Sequence, residues 1–234
     1  MTNTGTWEAL SPLKLTRRPV AVGFLDSPPA GMPRIDRTAA AGCGYWKLAA
    51  EGQTFYTTAN DHQNCPIGAY THGVTLNPDK AAELQSLVGT MIELQYLRSD
   101  EVPGIPHRVQ PMQVAAYAPA DRATFVADVV IFSGNTRQIM LLSEAARAAG
   151  AFDTGTTMGR PACAMLPQAI GTASSVASIG CIGNRVYTGL GDDELYLTVP
   201  ANSLAATLDK LSTIVTANLE LEKFHRQRAA TLGA

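Results

Sequence analysis

The sequence predicts an α/β protein, a mixed sheet with packing helices and a long C-terminal helix, with an α+β arrangement as the alternative. Three observations carry this prediction. Short β-branched apolar runs alternate with Ala- and Leu-rich stretches of helical period. The 234 residues are 46% hydrophobic, enough to bury a full core. The final segment places leucines at helical spacing over several turns. Residues 1–12 read as an N-terminal tail and 13–234 as a single domain.

The elements follow in order. Pro19-Val20-Ala21-Val22-Gly23-Phe24-Leu25 is a buried strand closed by Asp26-Ser27-Pro28-Pro29. Arg37 to Ala50 forms a helix that stops at Gly52, with Cys43 inside it or on its first turn, and Gln53 to Thr58 alternates as a strand does. Asn60 to Gly73 is rich in turn formers and metal-capable side chains and lacks apolar periodicity, so it reads as a functional loop. Asn77-Pro78-Asp79 opens a helix with proline at its first position; Leu84, Leu87, Val88, Met91 and Leu94 mark an apolar face that reads as scaffold.

Strands are expected at Gln113 to Ala118 and Phe125 to Phe132, the latter followed by a Ser133–Thr136 turn and a helix over Arg137 to Ala149. Gly155 to Gly191 reads as loop-rich, interrupted by a short helix at Ala162 to Ile170 and a strand around Val186. Glu194 to Val199 is a strand ended by Pro200. Ser203 then caps a helix whose Leu204, Leu208, Leu211 and Val215 share one face. Because the pattern falters at Asn218, packing of that face on the sheet is favoured over a coiled-coil homodimer.

The candidate chemistry lies in four cysteines, three beside glycine or proline and Cys163 just after Gly159-Arg160-Pro161: Gly42-Cys43-Gly44, Cys65-Pro66-Ile67-Gly68, Gly159-Arg160-Pro161-Ala162-Cys163 and Gly180-Cys181-Ile182-Gly183. If the fold brings them together, the thiolates form a soft four-ligand site suited to zinc or an iron–sulfur cluster. There is no Cys-x-x-Cys knuckle of the zinc-finger kind. Ligands scattered over loops of an otherwise stable fold instead favour a cluster, 4Fe-4S first, with zinc and haem as alternatives. Adjacent glycines let backbone N–H groups approach sulfur. The plainer alternative is four buried free cysteines in a non-catalytic small-ligand-binding or regulatory module.

His62, three residues before Cys65, is the candidate proton donor, and His72 is within similar reach. Arg160 is the candidate anchor for a small-molecule substrate, and Arg185 could serve likewise, although an arginine paired with Asp192, Asp193 or Glu194 is the simpler expectation.

Composition narrows the partners. With 18 basic and 20 acidic residues and a net charge of −2, the chain has no electrostatic footprint for nucleic acid or an acidic membrane. No leader-like segment or membrane-length apolar run is visible, so a cytoplasmic location is expected, where free thiols persist. P-loop, dinucleotide-binding, nucleophile-elbow and His-Glu-x-x-His motifs are absent.

The order of these segments, from Pro19–Phe24 through the Cys43 helix, Cys65-Pro66-Ile67-Gly68 and Gly73 to Gly159-Arg160-Pro161-Ala162-Cys163 and the Glu194–Pro200 strand, resembles domain-of-unknown-function family 169, the ArCR family, from about Leu13 to Phe224. The resemblance implies that Cys43, Cys65 and Cys163 occupy family motif positions, with Cys181 less clearly placed. Four ligands would close a cubane's coordination and suit electron transfer to a partner; three would leave one iron open to a small-molecule substrate.

Overall fold

The computed structural model describes residues 7–158 and 161–232. Its centre is a seven-stranded sheet in the order β2-β3-β1-β4-β7-β6-β5. The strands are β1 (Val20–Leu25), β2 (Phe55–Thr58), β3 (Val114–Pro119), β4 (Val129–Asn135), β5 (Phe152–Met158), β6 (Ser175–Ser178) and β7 (Glu194–Pro200). Every pairing is antiparallel except β5 with β6, so the sheet is mixed.

Alternation along the strands divides the core into two layers, as the two-residue period of a strand requires. Val20 and Val22, Ala115 and Tyr117, and Val129 and Ile131 turn to one face. There they meet α1 (Gly42–Ala50), α2 (Pro66–Thr71) and α5 (Met165–Thr172) through Tyr45, Trp46, Ala69, Met165 and Leu166. Ala21, Val130, Phe132, Leu197 and Val199 turn to the other. They are covered by α4 (Thr136–Ala148) and by the first turns of α7 (Ala201–Leu232), whose Leu204, Leu208 and Leu211 are buried. The face read from the C-terminal sequence is therefore a packing face on the sheet. Trp7 and Leu10 also pack against this second layer.

Two helices remain. The sixteen-residue α3 (Pro78–Glu93) starts at the Asn77-Pro78 signal but buries none of its side chains. The short α6 (Ile182–Thr188) follows Cys181.

Several expectations need correction. Asn60 to Gly73 is mostly helical: a Thr58/Asp61 capping box starts a 3-10 turn at Ala59–His62, and Pro66, with its φ already set, occupies the first turn of α2. The first helix starts at Gly42 because Ala41 is extended. The Ser133–Thr136 segment continues β4 to Asn135, which caps α4 by accepting from the Gln138 amide. Within the expected loop-rich region lie β5 and β6, and Val186 is in helix α6, not in a strand. The last helix begins at Ala201, two residues before Ser203, and continues past Asn218.

Candidate functional site

The four cysteines arrive at one place. Cys43 lies in the first turn of α1, Cys65 immediately precedes α2, Cys163 occupies a 3-10 turn leading into α5, and Cys181 immediately precedes α6. All four line a single cavity of about 480 Å³ on the α1/α2 side of the sheet. Cys163 belongs to the core layer beneath it, and Cys43 packs against that layer. None of the four forms a disulfide.

Burial sets the acidity of Cys43, Cys65 and Cys163. It pushes the Cys43 thiol up to about 12, with further raising by the neighbouring Cys65 and Cys181 sulfurs. Burial also raises Cys65, and it raises Cys163 strongly, with added contributions from Cys65, Cys43 and Cys181. These mutual effects are the electrostatic signature of convergence. Opposing them, the Gly68 and Gly42 amides face Cys65 sulfur and offset part of its rise; the Thr71 hydroxyl beside Cys163 does likewise while donating to the Gly68 carbonyl at 2.9 Å. A Cβ on Gly68 would lie 3.1 Å from Cys65 Sγ, so this glycine leaves the approach to sulfur clear. Among the described residues, no group of three or more His, Cys, Asp or Glu side chains is set to hold a single metal ion. The thiols are arranged around a space instead.

Asn184 is the residue that sequence reasoning missed. Only 2% exposed, it lines the cavity beside Cys43, and neither its amide nitrogen nor its oxygen has a well-formed hydrogen bond. Such a group is costly to leave alone, and its place in the cavity wall sets it to hydrogen-bond a group held there. The legible signal was its spacing, since Asn184 follows Cys181 by one helical turn. Gly180, at φ +75°, lets the chain turn into α6 while passing close to the Asn184 amide. Arg185 fixes the same loop by donating to the carbonyls of Ile179, Gly191 and Glu194 at 2.6, 2.5 and 3.2 Å. Its guanidinium is thus a backbone clamp, where the sequence had offered a substrate anchor or an acidic side-chain partner.

His62 and His72 lie behind the cavity wall and do not line it. Both are fully enclosed, with ring centroids 6.0 Å apart. His62 Nε2 pairs with Thr57 Oγ1 at 2.9 Å, and a Cβ on Gly42 would stand 3.3 Å from His62 Nδ1. Burial lowers His62 to about 4 and His72 to about 3, so both rings are neutral near pH 7. A proton donor facing the cavity is therefore not what His62 provides. Arg160 lies outside the described residues.

The fold and site define a three-layer α/β protein with a thiol-lined cavity at the N-terminal ends of its helices. Residues 11–210 match the family model described as uncharacterised ArCR, DUF169, and the chain belongs to that family. It is also 26% identical over 162 residues to an uncharacterized protein of Methanocaldococcus jannaschii, covering 66% of this chain and 68% of that one. No solved structure matches.

Proposed function

We propose that the chain binds an iron–sulfur cluster through Cys43, Cys65, Cys163 and Cys181 and acts in a redox or cluster-assisted reaction on a small molecule. The observation that carries this reading is the convergence of all four thiols on one cavity. The surroundings fit such a group. The Gly42 and Gly68 amides aim at Cys65 sulfur, and the unpartnered Asn184 amide beside Cys43 can donate to an anionic sulfur centre. When bound, a cluster supplies electron transfer, or Lewis acidity where one iron lacks a protein ligand. The chain's own residues hold the sulfurs, orient them through backbone amides and shield them with apolar walls. No described helix is long and apolar enough to cross a membrane. Free thiols suit a reducing compartment, and a cytoplasmic location is part of this proposal.

Anaerobic purification from iron-replete culture, with an absorption spectrum and iron, sulfide and zinc analysis of one sample, tests the reading. Brown protein with matching iron and sulfide is expected, Cys65→Ala abolishing both and Cys181→Ala leaving an altered centre. Equal retention of iron in both variants overturns the ligand set. A sharp Soret band would identify haem, and stoichiometric zinc a structural ion. Colourless, metal-free protein favours the second reading, a small-ligand-binding module, for which the cavity's apolar walls speak.

A further inference from the structure

Beyond the thiols, the cavity continues into a chamber whose walls are aliphatic and aromatic. One side is the apolar row Leu84, Leu87, Val88 and Met91 of α3; Leu97 and Ile105 face the same space. An amphipathic helix ordinarily buries such a row in a core. Here α3 buries no residue, and its apolar face borders the chamber. That uncovered surface is a standing hydrophobic driving force for a ligand.

The charge pattern narrows the ligand's class. Among the described residues lining the space there is no lysine, arginine or histidine to pair a carboxylate or phosphate. Glu83, the lining carboxylate, is already met by Lys80 at 2.6 Å, so it does not call for a cationic ligand. At the thiol end, the buried Asn184 amide, close to Cys43 and Tyr196 but without a well-formed hydrogen bond to either, offers both a donor and an acceptor.

We propose that this chamber binds an uncharged, predominantly apolar small molecule, lying along α3 and presenting its one polar group toward the thiol end. Its role as the substrate of the metal centre rests on the cluster reading; its binding rests on the chamber alone. The ligand is held by hydrophobic contact with α3 and oriented by the thiol-end polar groups.

Two fluorescent probes with nearly the same aromatic body distinguish this chemistry: neutral N-phenyl-1-naphthylamine and anionic 1-anilinonaphthalene-8-sulfonate. The full-length protein should bind one neutral probe per chain at least tenfold more tightly than the sulfonate. Met91→Trp, which fills the chamber, and Val88→Arg, which charges it, should each weaken neutral-probe binding at least tenfold while the far-ultraviolet circular dichroism is retained. Absence of neutral-probe binding, equal or tighter binding of the sulfonate, or wild-type binding in both α3 variants overturns the proposal. A Cys43→Ser, Cys65→Ser protein separates the two claims. It should lose iron yet still bind the neutral probe, so a failure of the cluster reading leaves a different record from a failure of the chamber.

Discussion

At the scale of single residues, the governing fact is that burial keeps three of the cavity thiols, Cys43, Cys65 and Cys163, protonated near neutral pH. Burial holds Cys43 at about 12 and raises Cys65 and Cys163, whereas metal ligation requires thiolates. If the proposed centre forms on these thiols, loading expels protons, and apparent metal affinity should climb with pH by about tenfold per unit for each proton displaced. Reconstitution titrations at pH 6.5, 7.5 and 8.5 check this; an affinity independent of pH would mean that the thiols are not the ligands. The cysteines were legible in the sequence because their Gly and Pro neighbours mark turns. Asn184 left only a faint trace, its one-turn spacing from Cys181, because its importance comes from burial beside Cys43, a tertiary relation.

At the scale of elements, the short helices aim the site, and their supports can be tested. Arg185 donates to carbonyls on both sides of α6, Ile179 just ahead of Cys181 and Gly191 and Glu194 beyond the helix, and so pins the segment that carries Cys181 and Asn184. Hydrogen bonds from a charged donor are worth about 1.5–3 kcal/mol, and partial solvent exposure places this clamp near the lower end. Arg185→Ala should cost about 1–2 kcal/mol by urea unfolding and reduce metal occupancy, whereas Arg185→Lys, keeping charge but not the planar fork, should recover only part of either. Loss of stability with full occupancy would show that the loop holds Cys181 without the clamp.

Elements with strong period or punctuation were readable: β1 from its β-branched run, α3 from Asn77-Pro78, and the packing face of α7 from its leucines. Those missed had signals that pointed elsewhere. The Ser- and Ala-rich β6, Ser175–Ser178, is a strand because β7 and β5 pair with it on both sides. Val186 favours strand by its branching, yet the segment between Cys181 and Gly189 closes as a helix. The apolar face of α3 was visible, but its use as a cavity wall depends on elements distant in sequence.

At the scale of the whole molecule, both faces of the sheet carry an apolar core in which Cys163 is the one fully buried site thiol, so the chain should fold cooperatively without a metal. Its acid limit is set partly by the two enclosed histidines. In the unfolded chain each takes up a proton near the ordinary value of about 6.5, whereas the folded rings resist until about 4 and 3. The unfolded state thus binds more protons in that window, and folding stability rises with pH through it. The contribution is present above pH 6.5 and is lost as pH falls, by about 1 kcal/mol per unit for each ring. Urea unfolding of the metal-free protein at pH 7, 6 and 5 should show this decline. His72→Leu, which removes a ring without a well-formed hydrogen bond, should make it shallower; an unchanged slope would exclude His72 as a source.

The strand order also has a consequence for biosynthesis. Cys43 and Cys65 belong to elements around β1 and β2, while Cys163 and Cys181 flank the strand β6. In the sheet, β6 joins β4 only through β7, the last strand to be synthesised. A nascent chain still lacking β7 can display all four thiols but cannot hold the two pairs on one continuous sheet. A cofactor of the proposed kind would meet the assembled site only once the chain extends through β7, and a ribosome stalled before residue 194 would leave the thiols as two unrelated pairs.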